Sequence, residues 1–321
     1  MDTILYYLAS GIIGLFQKLS LDGASRVGRF LGGIVYTLDA RHRKVAINNL
    51  TMCFGKEKSP EEIRALAKEN FKRIGENFLS AIRSSRMTYE QLSHRIEVIG
   101  AEKVSHSIAA KPTASVIVAI GHFGNFELFA QLARELPRYQ RATTYRALKN
   151  PAINRVMQRL REGTGCLYFE RRNDGAALRT ALRTHNLLLG LLSDQHSGDH
   201  GLRLPFLGHD CNTTKAPAIF ALRYDMPLHT AICFRTKPGH WQVEVGDAIP
   251  TQVNGEPRSP AAIMLDVNRA FEIAVRRDPA NWFWVHKRWK PSRLKSSLAD
   301  ATEGKDDSES AADKTNRSAH T

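Results

Sequence analysis

Cysteine is scarce in this chain: Cys53, Cys166, Cys211 and Cys233 lie far apart, and no two of them form a C-x-x-C pair. That spacing excludes the disulfide frame of a small secreted domain and fits a reducing, cytoplasm-facing setting in which each thiol is a small buried hydrophobe. Long apolar runs are also missing, since a bilayer crossing takes about 20 apolar residues as a helix. Residues 3–17 carry no charge but number only fifteen, so a crossing, a tilted or monotopic anchor and a plain core helix all remain open. A secretory signal is disfavoured, because Met1-Asp2 is not a basic n-region and no A-x-A site follows. No internal repeat is present. Acidic residues are few, 32 against 46 Lys and Arg, for a net charge of +14. Residues 295–321 hold four basic and six acidic residues, so the remainder carries +14 − (−2) = +16. Such an excess attracts polyanions: nucleic acid, anionic lipid headgroups or an acidic carrier protein.

With 321 residues, 42% hydrophobic and 24% charged, the chain is neither fibrous nor wholly disordered. Arg26, Arg29, Arg41, Arg43 and Lys44 follow the first apolar stretch and are interleaved with apolar residues 30–38, a pattern suited to an anionic lipid surface. Residues 1–50 are therefore expected to form a membrane-associated helical segment with an apolar anchoring helix. Ser59-Pro60-Glu61-Glu62 opens a helix as a capping box, and Ile63, Leu66, Phe71, Ile74, Phe78 and Ile82 supply its apolar stripe. From Arg95 onward, β-rich runs at 96–99, 115–120, 187–192, 228–234 and 241–245 alternate with helical stretches. This predicts an α/β domain over 51–291 with a mostly parallel central sheet flanked by helices. Residues 292–321 lack apolar periodicity and are expected to be a disordered tail.

The sharpest local feature is a buried strand that runs into Gly121-His122-Phe123-Gly124-Asn125-Phe126-Glu127. His122 falls at the carboxyl end of the strand, the edge where open α/β sheets bind ligands. On a continuous helix His122 and Glu127 would face different ways, so they meet only if 121–124 folds the chain back. Glu127 would then accept the Nδ1 proton of His122 and leave Nε2 free as a base. The alternative is structural, with Gly124 as a helix cap, Glu127 at its third position and His122 a polar strand end. No nucleophile accompanies the pair, since 121–127 contains neither Ser nor Cys and no G-x-S-x-G elbow occurs.

The wording of this segment resembles the bacterial lipid A biosynthesis acyltransferases, a branch of the lysophospholipid acyltransferase superfamily with an H-x-x-x-x-E or H-x-x-x-x-D box. Further segments are similar in the same order: Tyr145-Arg146 with Asn150-Pro151, Arg159-Leu160-Arg161, and Ser193-Asp194-Gln195 with Gly198. Leu204-Pro205-Phe206-Leu207-Gly208 with Thr213-Thr214 and Trp284-Val285-His286-Lys287-Arg288-Trp289 complete the likeness, which spans residues 1–291. Ser193 stands where the pattern has proline. The resemblance implies transfer of an acyl chain, such as lauroyl or myristoyl, from an acyl carrier protein or coenzyme A thioester to a hydroxyl of a lipid A precursor or related glycolipid. No cofactor or metal is implied, and the expected place is the cytoplasmic face of a bacterial inner membrane, in contact with its surface. His122 would be the general base, oriented by Glu127. Backbone N–H groups at Gly124, or the Arg161 guanidinium, would stabilise the oxyanion, with Asp194 and Arg146 as further substrate-site residues. Other acceptors, a lysophospholipid or a phosphatidylinositol mannoside, would share the same box.

Two rival chemistries compete with this reading. Asp194, His196, Asp199, His200 and His209 cluster in sequence, but in a glycine-rich loop whose spacing does not align metal ligands as H-E-x-x-H does. Trp282, Phe283, Trp284 and Trp289 among Lys287, Arg288 and Lys290 would suit a nucleic-acid surface, yet the same mixture suits a membrane interface, so no nucleic-acid partner is expected.

Overall fold

The computed structural model describes residues 2–112, 115–132, 139–184 and 186–291. The expected disordered tail, 292–321, lies outside the described residues. Helices α1 (Asp2–Phe16), α2 (Leu21–Leu38), α3 (Ala40–Phe54), α4 (Pro60–Ser84) and α5 (Tyr89–Ser93) come first. The long helix α4 starts at the capping box: the Glu62 N–H donates to Ser59 Oγ and the Ser59 N–H donates to the Glu62 carboxylate. Helix α2 lies along α4 almost backbone to backbone, because a Cβ built at Gly28 would stand 2.4 Å from the Gly75 carbonyl oxygen.

The α/β part follows. Its elements are β1 (Ile96–Ile99), α6 (Ala101–Ala110), β2 (Val116–Ile120), a 3-10 turn Phe126–Leu128 leading into α7 (Phe129–Leu132), β3 (Gln140–Tyr145) and α8 (Pro151–Glu162). Then come β4 (Leu167–Glu170), α9 (Gly175–Thr184), β5 (Leu187–Leu192), the hairpin of β6 (Leu202–Phe206) and β7 (His209–Thr213), and α10 (Ala216–Arg223). Strands β8 (Leu228–Lys237) and β9 (His240–Val245), a short ribbon of β10 (Gln252–Val253) and β11 (Glu256–Pro257), and α11 (Pro260–Arg277) close the fold. The described strands build a seven-stranded sheet in the order β1-β9-β8-β2-β5-β3-β4, and only the β8–β9 pairing is antiparallel. Strands β2 and β5 sit centrally and are covered on both faces, which is why they read as continuous runs, Val-Ile-Val-Ala-Ile and Leu-Leu-Leu-Gly-Leu-Leu. The sheet is thus mixed, mostly parallel and flanked by helices.

The amino-terminal expectation needs correction. Among the described residues, no helix is long and apolar enough to cross a membrane. Helix α1 has 15 residues, roughly 22 Å at about 1.5 Å per residue, against a hydrocarbon core of about 30 Å. It is tied to α8: Arg159 donates to the Tyr6 hydroxyl at 2.8 Å, and the Arg155 guanidinium lies over the Tyr6 ring. The membrane-anchoring role given to this helix, and the inner-membrane placement that rested on it, are therefore withdrawn.

Candidate active site

Strands β2 and β5 run parallel with Ile120 opposite Leu192, and the ladder continues as the Ser193 N–H donates to the Ile120 carbonyl. His122 and Asp194 each come two residues after the end of their strand, so the register itself brings them together. Both carboxylate oxygens of Asp194 are used. Oδ2 accepts from the backbone N–H of His122 and from the indole N–H of Trp282, each at 2.8 Å, and Oδ1 accepts from the Nδ1–H of His122 at 2.8 Å. Burial alone would push the Asp194 pKa up, but the charge of His122 and these hydrogen bonds outweigh it and hold the carboxyl down at about 2. A buried carboxylate accepting at Nδ1 fixes the imidazole with its Nε2 lone pair directed outward. There the Gln195 side-chain N–H donates to it at 3.3 Å, while Phe126 and Phe283 pack beside the ring.

The expected contact between His122 and Glu127 is not made. Gly124, at φ +50°, sends the chain toward α8, and the Glu127 carboxylate accepts from Arg161 at 3.2 Å. Arg161 in turn lies over the rings of Tyr145 and Tyr168, at 5.4 and 5.3 Å. Gly124 also has a different role from the one expected: its N–H donates to the Asn281 carbonyl at 3.1 Å, so it is not open to an oxyanion. A Cβ there would stand 2.6 Å from the Cys233 carbonyl oxygen, which leaves room only for glycine. The structure therefore joins His122 to Asp194, and Glu127 to Arg161.

Two cavities meet at these groups. One is apolar and follows α4 from Asn70 to Ser84, roughly 21 Å along the helix axis at about 1.5 Å per residue. Ile74, Phe78, Ile82, Met157 and Leu160 line it. The other is polar and bounded by Thr143, Thr144, Arg146, Arg171, His196 and Ser197. Arg146 is exposed at its rim, and Arg171 donates to Thr144 while desolvation and the like charge of Arg146 lower its pKa. His122, Phe126, Glu127, Arg161 and Tyr168 border both spaces.

The profile of the family described as "Bacterial lipid A biosynthesis acyltransferase" matches residues 2–291. The chain belongs to that family. No curated protein matches it at a significant level. As a lipid A biosynthesis acyltransferase, it is an enzyme of lipid metabolism that transfers acyl groups.

In this acyltransferase the closing W-x-H-x-R motif is a brace beneath the site. Arg288 is fully buried, without a carboxylate partner among the described residues, and donates to the carbonyls of Gln195 and Asn212 and to the Thr213 hydroxyl. It thereby pins the loop that carries Asp194 and Gln195. Trp282 and Trp284 are buried too, so neither of these two rings offers an exposed face for stacking. Among the described residues, no group of three or more His, Cys, Asp or Glu side chains could hold a metal ion. Of the sequence cluster considered for a metal, Asp194 holds His122, the backbone N–H of His196 donates to His286 Nε2 at 2.8 Å, and His209 contacts the Met52 carbonyl. Gln195 and Trp282 were missed as site residues. The signal available for Gln195 was its place one residue after Asp194, whereas Trp282 arrives from a segment 88 residues away.

Burial pushes the His286 imidazole down to about 4, so it stays neutral and can accept from His196. An unfolded histidine titrates near about 6.5, so between about pH 6.5 and 4 the unfolded chain binds more protons and stability falls as pH drops. His196 and His229, also lowered by burial, act in the same direction. Asp194 adds a second loss between its unfolded value of about 3.9 and its folded value of about 2. The thermal midpoint should therefore fall from pH 6.5 to 4 and further below 4. In His286→Gln, which keeps an acceptor, the first slope should be shallower and the second unchanged. A wild-type midpoint that stays level from pH 6.5 to 4 would contradict this assignment.

Proposed function

We propose that His122 takes the proton from a hydroxyl of a lipid A precursor or related glycolipid as that oxygen attacks an acyl thioester borne by acyl carrier protein or coenzyme A. The observation that supports this reading is the position of His122 where an apolar and a polar cavity meet. The acyl chain occupies the apolar space along α4, and the sugar headgroup with its anionic substituents faces Arg146 and Arg171. Asp194 holds the Nδ1–H tautomer and stabilises the imidazolium that forms. As the O–C bond forms, the carbonyl oxygen becomes an oxyanion, and Arg161, steadied by Glu127 and two tyrosine rings, supplies positive charge beside it. The C–S bond then breaks and the imidazolium returns its proton to the departing thiolate.

Direct transfer is favoured over an acyl-enzyme. Burial pushes the Cys166 and Cys233 thiols up to about 12, which disfavours the nucleophilic thiolate, and the buried Ser193 hydroxyl donates to the Leu191 carbonyl. Incubating the enzyme with radiolabelled acyl carrier protein thioester tests both points. Label should move to a phosphorylated glucosamine lipid when that lipid is added, and none should remain on denatured protein when it is left out. Stoichiometric label on the protein, lost in Cys166→Ala or Ser193→Ala, would overturn direct attack; no transfer to the glycolipid would overturn the acceptor class.

A further inference from the structure

We infer that the acyl chain carries a hydroxyl group near its carboxyl end, received by the side-chain oxygens of Asn70, Asn125 and Asn281. The inference rests on the reading of the apolar cavity as the acyl-chain site. Three asparagines set into the wall of that cavity are only 1%, 1% and 3% exposed. The Asn70 side-chain N–H groups donate to the carbonyls of Ala280 and Trp282, and that of Asn281 donates to the Cys233 carbonyl at 2.9 Å. These donors fix which way each amide faces. In both residues Oδ1 has no partner among the described residues, and in Asn125 neither Oδ1 nor Nδ2 has one.

Buried polar atoms in native proteins are nearly always paired, so three asparagines with unpaired atoms on the wall of one cavity mark a missing group. The set is dominated by acceptor oxygens, and what it lacks is therefore a donor. A phosphate or carboxylate would be repelled by these oxygens, whereas a hydroxyl can donate to one and accept from Asn125 Nδ2. In an otherwise apolar chain, a hydroxyl substituent is the group of that kind. Its place follows from the neighbours of the cluster. The Asn281 carbonyl accepts from the Gly124 N–H, and Trp282, whose carbonyl holds Asn70, donates its indole N–H to Asp194. The cluster is thus built into the same backbone as the His122–Asp194 pair, at the thioester end of the cavity, so the hydroxyl belongs on carbon 2 or 3 rather than toward the methyl end.

Competition between donors tests this. The full chain is given its glycolipid acceptor and equimolar saturated and hydroxylated acyl carrier protein thioesters of equal length, with the hydroxyl at carbon 3 or, separately, at carbon 2. Products are quantified by mass spectrometry. One of the hydroxylated chains should be transferred about tenfold faster than the saturated one, the scale of one gained hydrogen bond to an otherwise unpaired group. Asn125→Leu should bring the ratio near one. Its thermal midpoint should not fall, because the amide it removes holds no partner in the free protein. Equal use of saturated and hydroxylated chains by the wild type would overturn the inference and leave the acyl-chain reading intact. A preference that survives Asn125→Leu unchanged would overturn the assignment to this cluster. Failure to transfer any thioester would overturn both readings.

Discussion

Replacing His122 by alanine is expected to slow acyl transfer by about 10³-fold to 10⁴-fold, the upper part of the range for a lost general base. The size follows from the absence of a substitute. Of the two other imidazoles near the site, that of His286 already accepts at Nε2 from the His196 backbone N–H, and burial lowers the pKa of both, which makes them weak bases. The substitution also leaves Asp194 with two of its three donors, the backbone N–H of residue 122 and the Trp282 indole. Some stability is therefore lost, about 1–3 kcal/mol for a buried group deprived of a partner. His122→Gln separates the two effects, because its amide can donate to Asp194 yet cannot accept a proton. The glutamine variant should be as inactive as the alanine variant and hold a higher thermal midpoint. Initial rates at saturating donor, with the midpoint measured on the same samples, check this; activity within tenfold of wild type in a folded variant would remove His122 from the mechanism.

Asp194→Asn should be nearly as damaging, by about 10³-fold to 10⁴-fold, because an amide in this position selects the wrong tautomer. Asp194 Oδ2 accepts two N–H donors that do not move, His122 N–H and Trp282 Nε1–H. The amide oxygen of an asparagine must take that place, which turns its NH₂ toward His122 Nδ1. Nδ1 is then forced to accept, the ring proton shifts to Nε2, and the nitrogen facing the cavities has no lone pair to offer. The loss should appear in the maximal rate with the Michaelis constant little changed, since Asp194 is buried and touches no part of either cavity's surface directly. A rise in Michaelis constant at unchanged maximal rate would assign Asp194 to binding instead.

Local signals in the sequence located the elements. The Ser59–Glu62 capping box is present, and the β-rich runs at 96–99, 187–192 and 228–234 are strands, the first an alternating edge strand and the other two apolar runs that match a covered sheet. What local signals cannot state is which distant element pairs with which. Asp194 reaches His122 only because β5 lies beside β2, 72 residues away in sequence, so the nearer Glu127 was assigned to a contact that it makes with Arg161 instead. A partial signal was present: two buried strands each end two residues before a titratable group, and adjacent parallel strands would set those groups side by side. Gly124 reads as a turn residue, but the carbonyl that accepts its N–H, that of Asn281, comes from the far end of the domain and leaves no local trace. The first helix was misjudged for a related reason, since an uncharged stretch too short for a full span gives no sign of its contacts with Arg155 and Arg159.

The proton on His122 is the most direct point of test. Nitrogen-15 spectra of protein labelled in the histidine rings, with the His122 signals assigned by their loss in His122→Gln, distinguish a protonated from a bare ring nitrogen. The wild type should show a protonated Nδ1 and a bare Nε2, and Asp194→Asn should show the reverse. A wild-type His122 carrying its proton on Nε2 would contradict the assignment of that nitrogen as the base.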